Sequence, residues 1–349
     1  MNKKVRFGAV GASGMGMAHI RSIAHHPSME LVAVCDKDPA RLEVAKKEVV
    51  CPAYYTDWHD LINDPNVEAV VLCVPDRLHL EMTEAALKAG KQVLCEKPMA
   101  LTVEECEQMR AAEKKYGQRL MIGQICRYAP AFQLAKKLVD RGEIGELYYV
   151  ESEYAHDYAK ARGADDWRVD PLREPFLGGG CHAVDLLRWI AGDPYEISAF
   201  ANHKCLTDWP VNDCTVAIMR FPNEVLGKVF VSIGCKRDYT MRSCFYGTKG
   251  TIICDNTSNH ITVFKAGMKE KDPLFAEKTD HTIPIQIPVK LANHNTYGEL
   301  GDFAQCILEG KPVPTSAYDS ERSVVVCLAA AESAKLGKNI EIHYPKEDL

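Results

Sequence analysis

The sequence predicts an α/β protein in two parts: a doubly wound parallel sheet, then an α+β domain carrying a large, mostly antiparallel open sheet. Three observations predict it. Near-continuous apolar runs alternate with helical patterns up to about residue 124, as buried parallel strands with crossover helices do. Beyond about Tyr128, apolar and polar residues alternate instead, as in strands wetted on one face. The chain's 349 residues also exceed the roughly 250 to 300 that one core supports. The expected domains are 1–124 and 125–349, with a helix near 319–337 packing back on the first.

The first part opens with the strand VRFGAVG, a helix from about Gly16, the strand ELVAVCD at 30–36, and a helix through Arg41 and Lys47. EAVVLCVP at 68–75, a helix over 79–89, KQVLCEKP at 91–98, a helix over 103–116 and RLMIGQ complete it. Right-handed crossovers between such strands wind a sheet on both faces. A helix over 131–141 then ends near Gly142, and GELYYVESEYAHD alternates as a half-exposed strand should. Further strands are expected at 196–203, 213–221, 226–235, 242–246 and 250–254, separated by Gly, Pro and Asn turns. TYGELGDFAQCIL, the helix over 319–337 and NIEIHY close the chain.

Composition narrows the partners. A net charge of −6 with no Lys/Arg run longer than two argues against nucleic acid or an anionic membrane surface. No stretch reaches the ~20 apolar residues that span a bilayer. The start, MNKKVRFGAVG, shows no apolar leader. Fourteen cysteines are scattered without a C-x-x-C pair, as reduced thiols in a core would be. The expectation is a cytoplasmic protein that binds a small molecule and assembles into homo-oligomers through its open sheet.

After the first strand comes Gly11-Ala-Ser13-Gly14-Met15-Gly16, opening a helix. Glycines there permit a tight turn and close backbone approach to a pyrophosphate, which sits on the helix N-terminus. The spacing departs from G-x-G-x-x-G, because Ser13 takes the second glycine position. Asp36, 20 residues beyond Gly16, ends the second strand, where a carboxylate accepts hydrogen bonds from ribose hydroxyls and repels a 2′-phosphate. Together these define a Rossmann dinucleotide site and favour NAD over NADP, with the adjacent Lys37 working against that preference.

Two more strand ends point to the same crevice: Pro75-Asp76-x-x-His79 and Glu96-Lys97-Pro98. A residue before proline avoids the helical region, which holds Lys97 at the strand terminus; the competing reading is a surface lysine in an ordinary turn. Pro75, Asp76, His79, Glu96 and Lys97 are thus expected around the cofactor.

In order and spacing these motifs, with Arg127-Tyr128-x-Pro130, Trp167-Arg168 and Gly178-Gly179-Gly180-Cys181-His182-Ala-Val-Asp185, resemble the Gfo/Idh/MocA oxidoreductases over almost the whole chain. The resemblance implies that Lys97 contacts the reacting hydroxyl and the cofactor, with His182 opposite it. Chemistry asks for such a pair, since oxidising an alcohol needs a base for the hydroxyl proton, and imidazole titrates in the right range. Lys97 and His182 are the expected catalytic residues. Inositol-dehydrogenase-like members carry an aspartate four residues before the histidine, and this chain has Gly178 there. Asp185 is a possible substitute; the competing reading pairs it with Arg188 on its own helix.

Arg127, Tyr154, His156, Asp157, Asp165, Trp167, Arg168 and Asp185 are the expected substrate contacts, because aromatic faces bind sugar C–H faces while charged groups hold hydroxyls. His19, His25 and His26 are read as surface or packing residues. Cys181 is read as core, and no metal site is expected, because no third or fourth ligand stands at suitable spacing. The GGGCHAVDLLRWIAGDP stretch looks like that of glucoside 3-dehydrogenases, including those acting on plant C-glycosides, which implies oxidation at the 3-position of a glycoside. An inositol-type dehydrogenase, an NAD-dependent glycosidase and a non-catalytic sugar or nucleotide sensor remain as alternatives.

Overall fold

The structure is a computed structural model that describes residues 3–267, 269–271 and 280–347. The chain divides into two compact units, Met1–Ile125 with Asn295–Val324 and Tyr344–Leu349, and Cys126–His294 with Val325–His343.

The first unit alternates β1 (Val5–Val10), α1 (Met15–His25), β2 (Met29–Cys35), α2 (Pro39–Glu48), β3 (Ala53–Tyr55), α3 (Trp58–Asn63), β4 (Ala69–Leu72), α4 (His79–Lys88), β5 (Gln92–Cys95), α5 (Val103–Tyr116) and β6 (Leu120–Ile122). The strands pair in parallel in the order β3-β2-β1-β4-β5-β6. Every residue of β4 is buried, which is why these strands read as unbroken apolar runs. The order reverses between β1 and β4, so the carboxyl ends of β1, β4 and β5 border a switch-point crevice. Helix ends follow local chemistry: Asp38 caps α2, and Thr102 with Glu105 forms a capping box on α5.

The second unit carries α6 (Pro130–Asp140), β7 (Leu147–Ala155), α7 (Pro175–Gly178) and α8 (Cys181–Ala191). These are followed by β8 (Glu196–Asn202), β9 (Cys214–Arg220), β10 (Leu226–Ser232), β11 (Thr240–Gly247), β12 (Gly250–Asp255) and β13 (His260–Lys265). A small pair, β14 (Lys269–Lys271) and β15 (Asp280–Thr282), precedes β16 (Ile285–Pro288); β17 (Ile340–Glu341) comes last in the chain. Nine strands form one sheet in the order β16-β13-β12-β11-β7-β10-β9-β8-β17. Among the described residues of this sheet, only the β7–β10 pairing is parallel. One face, with Ile197, Ala217, Met219, Val229 and Val231, is buried, and α8 packs on β7. The other face leaves Phe200, Ile218 and Leu226 exposed.

The chain then returns. α9 (Thr296–Glu309) belongs to the first unit, where Phe303 meets the Phe7 ring of β1 edge-on at 6.1 Å. α10 (Ala317–Leu336) begins in the first unit and ends in the second. A single division near residue 124 does not describe this return, because the apolar face of α9 finds its partner some 290 residues back in the chain. All fourteen cysteines are free thiols. Among the described residues, no helix is long and apolar enough to cross a membrane.

Candidate functional site

The glycine turn shows why each position is small. Gly11 has φ +94°, and a Cβ there would lie 2.1 Å from the Cys73 carbonyl; one on Gly16 would lie 2.0 Å from the Gly11 carbonyl. Gly14 is different: its φ of +48° favours glycine, but a Cβ there meets nothing within 4 Å. Ser13 and Gly14 are exposed and Met15 is half-buried. No side chain caps the N-terminus of α1 and its first turn holds no acidic residue, so its N–H groups and dipole are left to an anion. This cradle fits a dinucleotide pyrophosphate.

Asp36, 4% exposed, ties β2 to that turn. Its carboxylate accepts the Ala12 N–H at 2.8 Å and the Asp38 N–H at 3.0 Å. Each oxygen keeps a second lone pair for a ribose hydroxyl. Arg41, one helical turn on, places Nη1 3.6 Å from Asp36. Arg41 joins Lys37 as a neighbouring cation because α2 leaves the strand so as to bring position i+5 back to Asp36.

Pro75 is half-buried at the end of β4 and Asp76 is buried beside it. His79 is fully buried, which corrects its placement among cofactor contacts. Its Nδ1 lies 2.9 Å from the Pro98 carbonyl and 3.3 Å from that of Met99, while Nε2 lies 3.2 Å from the Val74 carbonyl. The ring clamps two loops of the crevice together. Burial works against a charged ring, but the Cys95 sulfur, the Asp76 carboxylate and the Pro98 carbonyl outweigh it and push the pKa up to about 10. Glu96 is also buried; it meets His19 Nε2 at 2.9 Å and accepts the Lys97 N–H at 3.2 Å. Lys97 itself is half-buried, beyond β5, and its peptide bond to Pro98 is cis.

In the second unit His182 starts α8 and is 3% exposed. Its ring stacks on Tyr154 at 6.1 Å and on His294 at 6.1 Å, with Tyr239 5.6 Å from His294. Tyr154 comes from the covered face of β7, and its hydroxyl meets those of Tyr158 at 2.7 Å and His156 Nδ1 at 3.3 Å. His182 Nδ1 lies 3.4 Å from the Cys126 thiol. Burial pushes the Tyr154 phenol well up, with the Arg173 guanidinium pulling the other way.

The space over Gly178 is filled. A Cβ there would stand 2.4 Å from Arg173 Nη1, and Arg173, 4% exposed, also donates to the Gly178 carbonyl at 3.1 Å. An aspartate at this position would therefore displace a buried cation. Trp167 lies under two guanidinium groups, those of Arg168 at 4.4 Å and Arg173 at 4.8 Å. Asp165 belongs to the same turn, but its side chain lies outside the described residues.

One expectation for this unit changes, that for Asp185. Asp185 is 1% exposed and takes a bidentate pair from Arg127, at 2.8 and 2.6 Å; Arg188 is 4.0 Å away and pairs with Asp193 instead. The two charges are spent on each other rather than on a substrate. Asp157 accepts the Ala159 N–H at 3.0 Å and faces Lys236 at 3.5 Å, a partly exposed ion pair. Cys126, Arg173, Tyr239 and His294 were not foreseen. Nothing in the sequence marks them, because each joins the cluster from a different stretch of chain.

Fold and site define a dinucleotide-dependent oxidoreductase. The profile of the oxidoreductase family with an NAD-binding Rossmann fold matches residues 5–124, and that of the GFO/IDH/MocA C-terminal domain matches residues 132–253. The chain belongs to the GFO/IDH/MocA family, and is an NAD-dependent enzyme acting on CH–OH groups. The uncharacterized oxidoreductase YrbE of Bacillus subtilis is 24% identical over 357 residues, covering 99% of each chain. Myo-inositol 2-dehydrogenase of Thermotoga maritima is 25% identical, covering 97% of this chain and 98% of its own. Among solved structures, an oxidoreductase domain protein from Kribbella flavida superposes with a TM-score of 0.85 at 28% identity, covering 99% of this chain and all of the other. Levoglucosan dehydrogenase in complex with NADH and L-sorbose does so with a TM-score of 0.86 at 23% identity, over 98% of this chain and all of its own, a likeness of fold.

Proposed function

We propose that this enzyme oxidises a secondary hydroxyl of a sugar or glycoside, at the 3-position of a glucoside, to a keto product. The observation that carries the reading is the wall of rings around His182: Tyr154, His156, Tyr158, Tyr239 and His294. Such a wall offers apolar faces to sugar C–H groups and hydroxyl and imidazole edges to sugar oxygens. Relatives that act on inositols, and a structural neighbour solved with L-sorbose, support a polyol or sugar ring as substrate.

In this reading Lys97 orients the reacting hydroxyl and His182 accepts its proton, while Trp167 and Arg168 border the sugar. NAD, when bound in the cradle, would supply the acceptor for the hydride leaving the same carbon. His182 Nδ1 faces the Cys126 thiol, and stacking on Tyr154 and His294 helps to fix the ring's orientation. The free thiols fit a reducing, cytoplasmic setting, and the apolar residues on the open sheet face fit a homo-oligomer.

The test incubates the purified protein with NAD and a panel of glucosides, C-glycosides and inositols, followed by mass spectrometry. A glucoside product lighter by two hydrogens, oxidised at C3, supports the proposal. Free aglycone without keto product points to a glycosidase, and turnover of inositols alone to an inositol dehydrogenase. Lys97→Ala and His182→Ala are each expected to lower kcat by about 10² or more, with NAD binding retained in His182→Ala. Unchanged turnover in either variant overturns its assignment.

A further inference from the structure

We propose that His19, Cys73, Glu96 and Glu299 form a binding site for a divalent cation of the zinc class within the first unit. His19 comes from α1, Cys73 from the end of β4, Glu96 from the end of β5 and Glu299 from the first turn of α9. One ligand atom each from His19, Cys73 and Glu96 lies within 4.8 Å of the others. The expectation of no metal site follows from spacing along the chain, whereas the sheet brings His19, Cys73 and Glu96 together and the returning helix sets the Glu299 carboxyl close enough to feel the Glu96 charge.

Glu299 is the second, independent observation. It is completely buried, and neither of its carboxylate oxygens has a hydrogen-bond partner among the described residues. A native buried carboxylate is almost always paired. Thr296, three residues earlier, is anchored on α1 through the Ser22 hydroxyl at 2.7 Å and the Ala18 carbonyl at 3.4 Å, directly beside His19. Burial, and then the charge of Glu96, push the Glu299 carboxyl well up, and Glu299 in turn acts on the Cys73 thiol. His19 Nδ1 is likewise buried without a partner. The cluster holds three potential anions and one imidazole.

The donor set names the ion. Thiolate, imidazole and carboxylate together suit zinc, whereas calcium and magnesium take oxygen ligands. Four protein ligands give a closed site, one that holds α9 to the sheet rather than one that activates water. A thiol loses its proton when it becomes a metal ligand.

Cobalt(II) is the probe. Chelator-treated protein is titrated with cobalt chloride, and bound metal is read by elemental analysis after dialysis and by absorption. The expected result is one equivalent per chain with a thiolate-to-cobalt charge-transfer band, displaced by zinc. The band is lost in both Cys73→Ser and Cys73→Ala, and Glu299→Gln weakens cobalt binding at least tenfold, with thermal melts confirming that each variant folds. No retained cobalt, a band that persists without Cys73, or full affinity in Glu299→Gln overturns the site.

Discussion

Replacing Asp185 by asparagine tests whether this residue serves the fold or the substrate. The carboxylate is 1% exposed and grips Arg127, itself only 10% exposed, at 2.8 and 2.6 Å. Asparagine keeps the size and removes the charge, so a guanidinium is left buried against a neutral amide that turns a donor toward it. Breaking one side of a buried ion pair costs about 3–5 kcal/mol, mostly the stranded charge. For a unit of this size each kcal/mol moves the melting temperature by roughly 2–4 °C, which sets an expected fall of roughly 6–20 °C. The double variant Arg127→Met with Asp185→Leu removes both charges and is expected to recover most of that loss. The assay is a thermal melt by circular dichroism, with KM and kcat measured well below the transition. An Asp185→Asn protein that melts within about 2 °C of the parent but has a tenfold higher KM for sugar would refute the reasoning and return Asp185 to the substrate.

Other outcomes follow from the same geometry. Gly11→Ala forces a Cβ to 2.1 Å from a backbone carbonyl, while Gly14→Ala points into open space. The first is expected to destabilise the fold strongly, the second only through its strained backbone while binding NAD more weakly in a fluorescence titration; parent-like NAD affinity in Gly14→Ala would count against the cradle. His79 has its pKa raised to about 10 in the folded state against about 6.5 unfolded. Its stabilisation, on the order of a few kcal/mol, is fully present below about pH 6.5 and lost as pH rises through about 10. Urea midpoints across that window should fall more steeply for the parent than for His79→Gln, and parallel curves would refute the assignment. Phe200→Glu with Ile218→Glu is expected to shift the protein to a smaller species in light scattering; an unchanged mass means the open face is not the contact.

What was legible in the sequence was local. The glycine turn, Asp36 and the two strand ends lie within short stretches whose chemistry depends on the strand or helix they terminate, and the period of apolar residues gave those elements. Short pieces were passed over: β3 has three half-buried residues and α3 six in all, too few to show a period. Pairings across the chain were invisible. Asp185 reads as a partner for Arg188 at helical spacing, but Arg127, 58 residues earlier, offers a two-bond fork that a neighbour on the same helix cannot. Gly178 reads as a lost aspartate; the reason for the glycine is Arg173, whose guanidinium has taken the room. His79 reads as part of a cofactor motif, although its spacing serves the carbonyls of two neighbouring loops.

The path of the backbone also bears on how the molecule is made. The chain changes units four times, and α9 closes against β1 only after Cys126–His294, the larger segment of the second unit, has been synthesised. On a ribosome, the first 125 residues emerge with Phe7 and the neighbouring apolar surface uncovered until the segment after residue 295 is available. The nucleotide-binding half is thus the last to be finished although it is the first to be synthesised. Cutting the gene at the domain border would yield an amino-terminal fragment without the helix that seals it.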